Sequence, residues 1–302
     1  MLNLRRILII AGVFVCLAGR SYGQDTALRI ASISWYEYKA SQDEDGQIQK
    51  GAQTQHIVVH YSPQGKMTDS AVFNESGTKI KQFTFVHDPE GNLLEKTFYN
   101  QKAEIINRAI YHYNQQMRPL SYQVVGDSGK VLEKQVYTYM PDNSYEVRRY
   151  LKGNLADTYI YACDSDDYKY PLKVSKKTDS IRFVQKTYQY DAKKRITTEK
   201  GFSSDGQIDY WYDYQYNENN KIENKLSYNR SGELSRKYTF VYDNQGNMTE
   251  EFWYAKDDYL IYKQNYSYKY DEHQNWMLKL YYEGIKPVLK RMTEKTVNYY
   301  EN

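Results

Sequence analysis

The chain has 302 residues, enough for a large core or an extended array, with 41 basic and 38 acidic residues and two cysteines. Loss of a 23-residue leader, expected below, would remove Arg5, Arg6, Arg20 and Cys16, leaving 38 charges of each sign and Cys163 alone. A neutral surface excludes a field that gathers nucleic acid or anionic lipid, and one cysteine excludes an internal disulfide or a cysteine-built metal cluster.

At the start, Arg5 and Arg6 precede the apolar stretch Ile7 to Leu17, and Ser21-Tyr22-Gly23 before Gln24 suits signal peptidase. The stretch is short for a membrane span. Residues 1–23 are read as a secretory signal. Residues 24–302 are read as a single exported domain, periplasmic, cell-surface or secreted, with no membrane insertion after cleavage. A lipoprotein signal lipidated at Cys16 is the alternative, although Val15 stands where a small residue is usual.

Beyond the leader the chain repeats. Aromatic-then-Asx anchors fall at Tyr61, His87, Tyr113 and Tyr139, and again at Tyr190, Tyr216 and Tyr242, each 26 residues apart. Tyr270 follows after 28, Cys163-Asp164 fills the gap before 190, and Trp35-Tyr36 is read as the first copy. A second mark on the same grid is Gly77, Gly129, Gly206, Gly232 and Gly284, with Ala103 and Asp258 as replacements. Each unit therefore holds two turns and two strands. The turns read Asp-x-x-Gly-Asn (Asp88 to Asn92, Asp243 to Asn247) and Asn-x-Ser-Gly (Asn74 to Gly77, Asn229 to Gly232). The Asx side chain bonds the backbone two residues on, and Gly takes the positive-φ position.

Between turns the residues alternate. Tyr238, Phe240 and Tyr242 share one strand face, as do Tyr212, Tyr214 and Tyr216, and Tyr266, Tyr268 and Tyr270. Period-2 alternation marks half-buried strands, and 35 Tyr against 6 Pro is a strand-forming composition. The expected fold is all-β, a long antiparallel β-meander of about ten two-strand repeats. Accumulated strand twist would curl it into a spiral, trough or partly closed shell, with the tyrosine face inward and the rings in rows across the sheet. Irregular register is expected over residues 151–180.

At Tyr242-Asp243-Asn244-Gln245-Gly246-Asn247, Tyr270-Asp271-Glu272-His273-Gln274-Asn275 and His87-Asp88-Pro89-Glu90-Gly91-Asn92 the sequence resembles the Rhs/YD-repeat family. The resemblance spans about residues 30–302 and extends to short secreted envelope proteins of the Bacteroidetes type. It implies spiralling β-sheet shells, with carbohydrate binding in some members. The chain departs in its 26-residue period and in lacking a toxin-like C-terminal domain.

Catalytic and metal motifs are scarce. His56 and His60 would sit about 13 Å apart on a strand, too far to share an ion. His87 fills a tyrosine slot, and His112 and His273 have no evident partner. The recurring Asx residues read as turn caps, since Asp and Asn interchange there. Asp164-Ser165-Asp166-Asp167 lacks EF-hand spacing. Neither a cofactor nor a metal is expected, and nucleophile and phosphate-cradle motifs are absent. The candidate binding residues are aromatics read as lying off the tyrosine face: Trp211, Trp253, Tyr150, Tyr281 and Phe98. The expected function is non-catalytic binding of a glycan or a partner protein at the cell envelope. The alternatives are assembly through sheet edges and a glycan-active enzyme.

Overall fold

The computed structural model describes residues 29–165, 168–178 and 181–301. The leader with Cys16, and Asp166 and Asp167 of the acidic loop, lie outside the described residues. Twenty strands follow one another in hairpins. They begin with β1 (Ile30–Gln42), β2 (Ile48–Tyr61), β3 (Met67–Phe73), β4 (Lys79–His87), β5 (Leu93–Tyr99) and β6 (Ile105–Tyr113). Next come β7 (Pro119–Gly126), β8 (Val131–Tyr139), β9 (Ser144–Leu151), β10 (Asn154–Cys163), β11 (Pro171–Lys177) and β12 (Arg182–Tyr190). The last eight are β13 (Ile196–Phe202), β14 (Ile208–Tyr216), β15 (Ile222–Tyr228), β16 (Leu234–Tyr242), β17 (Met248–Ala255), β18 (Leu260–Tyr270), β19 (Trp276–Glu283) and β20 (Val288–Tyr299).

Residues 61, 87, 113, 139, 163, 190, 216, 242 and 270 each end an even-numbered strand. Trp35 does not. It lies inside β1, and the position after Tyr270 in the series is Tyr299, at the end of β20.

Two turn features make the hairpins. Asp243 Oδ1 accepts from the backbone N–H of Gln245 (3.0 Å) and Asn247 (2.8 Å), and Asn217, Asp191 and Asp271 repeat the pattern. The fourth residue of the turn then takes a left-handed backbone. It is Gly246 in one turn (φ 79°), but Met117, Lys194, Asn220 and Gln274 hold the same conformation at φ 60° to 62°. The residue before each such turn is bulged, as at Gln189/Tyr190 and Val241/Tyr242. The hairpin between β9 and β10 differs. Lys152 and Gly153 are both left-handed (φ 49° and 88°), which makes a two-residue connection and shortens that repeat.

The sheet does not end as a spiral, trough or partly closed shell. β1 pairs antiparallel with β20 from Ile30↔Tyr299 to Lys39↔Arg291, so the twenty strands form a closed barrel. Twist explains why closure is available: an even number of antiparallel strands can meet without mismatch once stagger and tilt agree. Following hydrogen-bonded partners once around returns to β1 about 22 residues along, a stagger that tilts the strands about 40° and sets a radius near 18 Å. The barrel is one layer thick, since each strand packs chiefly against its two neighbours.

The seam has its own core. Leu280, Leu289 and Met292 are buried, with Tyr38, Ala40, Leu278 and Tyr282 packed against them. Glu37 accepts from Arg291 (3.3 Å), and Lys50 reaches over β1 to Glu294 (2.8 Å). Next to it, the His56 ring lies between Tyr36 (4.1 Å) and Phe73 (5.0 Å), on the neighbouring strands β1 and β3.

Two outcomes follow from the seam. Leu280→Ala should cost about 2–5 kcal/mol, read from urea unfolding, because it empties the buried cluster. Burial holds the His56 imidazole below its ordinary pKa, and His87 shifts the same way with burial as its first cause. The unfolded chain then binds more protons than the native one below pH of about 6.5, so stability should fall as pH drops through that value. A double variant, His56→Phe with His87→Tyr, should flatten that slope in the same unfolding series.

The inner wall as candidate binding surface

Strand pairing divides the side chains into two walls. Exposed mid-strand residues such as Arg108, His112, Lys134, Thr138, Gln215 and Lys269 lie on the face opposite the tyrosines. On the tyrosine face side chains two strands apart influence each other at several points around the wall: Lys225 senses both Glu199 and Glu251, and Tyr161 senses Tyr137 and Tyr188, whereas on the opposite face the Lys50–Glu294 pair at the seam is such a contact. Side chains converge on a concave surface and spread on a convex one, so the tyrosines line the lumen. A barrel of this radius leaves a passage of about 20–25 Å between side chains.

The tyrosine hydroxyls tie each repeat to the one before. Tyr113, Tyr139, Tyr216 and Tyr242 donate to the carbonyls of Leu93 (3.0 Å), Pro119 (2.9 Å), Ile196 (2.7 Å) and Ile222 (2.9 Å), each 20 residues earlier. In the 28-residue unit this bond passes to Tyr268, which donates to Met248 O (2.9 Å). Tyr270 bonds the Asp243 carboxylate instead and accepts from Asn247 Nδ2 (2.8 Å).

The rings do not form unbroken rows. From β12 onward every second strand puts a charge between them, whereas β7 and β9 continue the rings with Tyr122 and Tyr145. Along the inner wall the pairing reads Tyr188, Glu199, Tyr212, then Tyr214, Lys225, Tyr238, then Phe240, Glu251, Gln264, then Tyr268, Lys279, Thr293. Glu199 accepts from Tyr210 Oη (2.9 Å) and Lys186 Nζ (3.1 Å). Gly201 makes room for this arrangement, because a Cβ there would overlap the Tyr210 ring. The Lys225 ammonium lies 3.9 Å from the Tyr212 ring centroid and 5.5 Å from that of Tyr238. Lys279 lies 4.3 Å from Tyr266 and 5.7 Å from Tyr268.

Elsewhere on the same wall Arg149 bridges Glu133 (2.9 Å) and Asp157 (3.3 Å), and Lys176 binds Asp157 (2.6 Å). The Lys176 bond holds the Asp157 carboxyl below its ordinary pKa. Burial opposes the same shift at Glu133, but the Arg149 bond prevails. Burial raises the Tyr111 and Tyr266 hydroxyls to about 12. It lowers the Lys225 and Lys279 ammoniums.

The five aromatics singled out in the sequence do not share a face. Trp211 is on the outer wall, stacked on Tyr228 (4.6 Å), with Lys200 over it and its Nε1 donating to Asp213 (2.8 Å). Tyr150 is also outside, lining a shallow hollow with Lys134 and Val136. Trp253, Tyr281 and Phe98 are inside, each opposite an aromatic of the preceding even strand: Tyr238, Tyr266 and Phe83. Parity misplaced them because the bulged turn pairs an even-numbered residue with an odd-numbered one, so counting does not carry across it. The unpredicted members of the wall are Glu199, Lys225, Glu251 and Lys279. Their signal was present as one charged position per short strand from β13 to β19.

The histidines have structural places. His60 Nδ1 lies 2.7 Å from Asp69 Oδ1, His112 Nδ1 lies 3.1 Å from Ser121 Oγ, and the His273 ring meets Tyr299 edge-on. The last two thus have the partners that the sequence left unassigned. Among the described residues no three metal-ligating side chains converge.

Gly201→Ala should push Tyr210 off Glu199. Spectrophotometric titration is expected to show one tyrosine ionising at lower pH, since burial is the first cause of the raised Tyr210 pKa and outweighs the Lys186 bond that opposes it.

No family model matches the chain, and no curated protein matches it. Among solved structures, it is similar to a porin-like protein from Bacteroides uniformis ATCC 8492, at 10% identity and TM-score 0.37, over 89% of this chain and 98% of that one. TcdB2-TccC3 is similar at 10% identity and TM-score 0.30, over 80% of this chain and 15% of that one. A porin-like protein from Bacteroides vulgatus ATCC 8482 shows 11% identity and TM-score 0.22, over 91% of this chain and 100% of that one. The barrel described above rests on its own strand register.

Proposed function

We propose that the chain is an exported, non-catalytic module of the cell envelope that binds a glycan on the inner wall of its barrel. The observation carrying this reading is the ring of aromatic side chains around a wide lumen, interleaved with polar and charged groups. Sugar rings stack on aromatic faces, and their hydroxyls need the donors and acceptors that lie between them. Export rests on the sequence of the first 23 residues.

Three observations weigh against the competing readings. The outer wall carries Arg108, Lys134, Asp213 and Lys237 at mid-strand, where a barrel set in lipid needs an apolar band. A soluble envelope barrel accounts for such a surface. Assembly through sheet edges needs an unpaired edge strand, and β1 and β20 are paired to each other. A glycoside hydrolase needs a carboxylic acid of raised pKa. Among the described residues, the carboxyls whose pKa is displaced, including Glu133, Asp157 and Asp191, are displaced downward.

Screening the purified protein on a glycan array, then titrating the best ligand, tests the reading. Trp253→Ala on the inner wall should weaken binding about tenfold, from lost stacking. Trp211→Ala on the outer wall should leave it unchanged. Absence of binding to every glycan, with capture of an envelope protein instead, would replace this reading with the partner-protein one.

A further inference from the structure

The inner wall holds cations with no carboxylate in ion-pair contact, although Glu199 and Glu251 act on Lys225, Glu37 on Lys279 and Asp271 on Lys295 from farther off. The lysines paired to carboxylates are Lys50, Lys176, Lys186, Lys237 and Lys263. Lys225, Lys279 and Lys295 are not among them. All three are half-buried on β15, β19 and β20, and what lies against them is aromatic. Lys225 faces the rings of Tyr212, Tyr214 and Tyr238. Lys279 faces Tyr266 and Tyr268, and Lys295 lies 4.6 Å from the Trp276 ring centroid. A ring face returns about 1–2 kcal/mol to a desolvated ammonium, but it accepts none of the three N–H bonds that an ammonium offers.

We propose that this stretch of wall, β15 to β20, takes an acidic glycan: a chain of mostly neutral sugars carrying spaced carboxylate or sulfate groups. The proposal rests on the glycan reading above and adds the charge class of the ligand. Each lysine stands beside the ring on which a sugar would stack, so one sugar unit meets a platform and a cation together. The spacing argues for sparse charge. Lys225 and Lys279 are four strands apart, about 19 Å along the sheet, and Glu251 lies between them. A sugar hydroxyl can donate to Glu251. A nucleic acid, with a phosphate on every unit, would bring phosphate against that carboxylate.

Titration of the full-length protein with three oligosaccharides and an oligonucleotide tests this. The probes are an oligogalacturonate, a sulfated chondroitin oligosaccharide, a neutral cello-oligosaccharide and a single-stranded oligonucleotide. At least one acidic sugar chain should bind ten or more times tighter than the neutral chain at low salt, and the margin should shrink as salt is added. Which acidic chain binds identifies the group recognised. Lys225→Met and Lys279→Met should each weaken that binding about tenfold, and Lys225→Arg should restore it. Lys263→Met, on the outer wall, should change nothing. Thermal unfolding checks each variant, and Lys295→Met substitutes if Lys279→Met does not fold. Equal affinity for neutral and acidic chains overturns the charge class and leaves the glycan reading standing. Tighter binding of the oligonucleotide overturns the proposal. No binding to any sugar ends the glycan reading itself.

Discussion

The ladder between β1 and β20 is the contact on which the rest depends. Each of the other hairpins joins strands adjacent in sequence, and each is marginal alone. Without the closing ladder the sheet would have two free edges, and its concave face would open to solvent. With it, every strand has two neighbours and the lumen is defined. The seam is also where this thin-walled protein gathers buried apolar side chains, at Leu280, Leu289 and Met292. That placement fits the need. A ladder between residues more than 250 positions apart must overcome a larger closure entropy than any hairpin.

Around the remaining wall, stability comes from a different source. A single layer cannot bury a conventional core, so its side chains cover one another edge to edge. This accounts for tyrosine in place of phenylalanine at the anchor. The ring covers its neighbour, and the hydroxyl crosses to a carbonyl at the start of the preceding strand, as from Tyr216 to Ile196 and Tyr242 to Ile222. Lysine stems and glutamates fill the gaps between rings, which lets charged residues act as packing material.

Local features were legible in the sequence because their causes are local. Strand ends at Tyr216 and Tyr242 follow from alternation and from the Asx turn after them, and the departure at 151–180 shows as the Lys152-Gly153 hairpin and the shift inside β11 and β12. Closure was not legible. Pairing of Trp35 with Lys295 depends on the sum of nineteen stagger steps, and no residue near either position encodes it. The same reason misled the reading of Trp35 as a repeat anchor and left Tyr299 out of the series. Of the wall, the tyrosines were evident. The alternation of Glu199, Lys225, Glu251 and Lys279 was not, since the bulge at each turn decides which wall a short-strand residue faces.

The transfer of the carbonyl bond from Tyr270 to Tyr268 bears on how such a chain can change. Two added residues in that unit left both walls intact, because a strand repeats every second residue. One added residue would exchange lumen for exterior along everything downstream until a bulge absorbed it. The intervals between strand ends are mostly even, 24, 26 and 28; of the two odd ones, 163 to 190 coincides with the register break at Val174/Ser175, and 270 to 299 with the longer hairpin that pairs Glu283 with Val288. Drift in repeat length is therefore mostly in steps of two, and an odd step is taken up where the ladder kinks or the connecting hairpin lengthens.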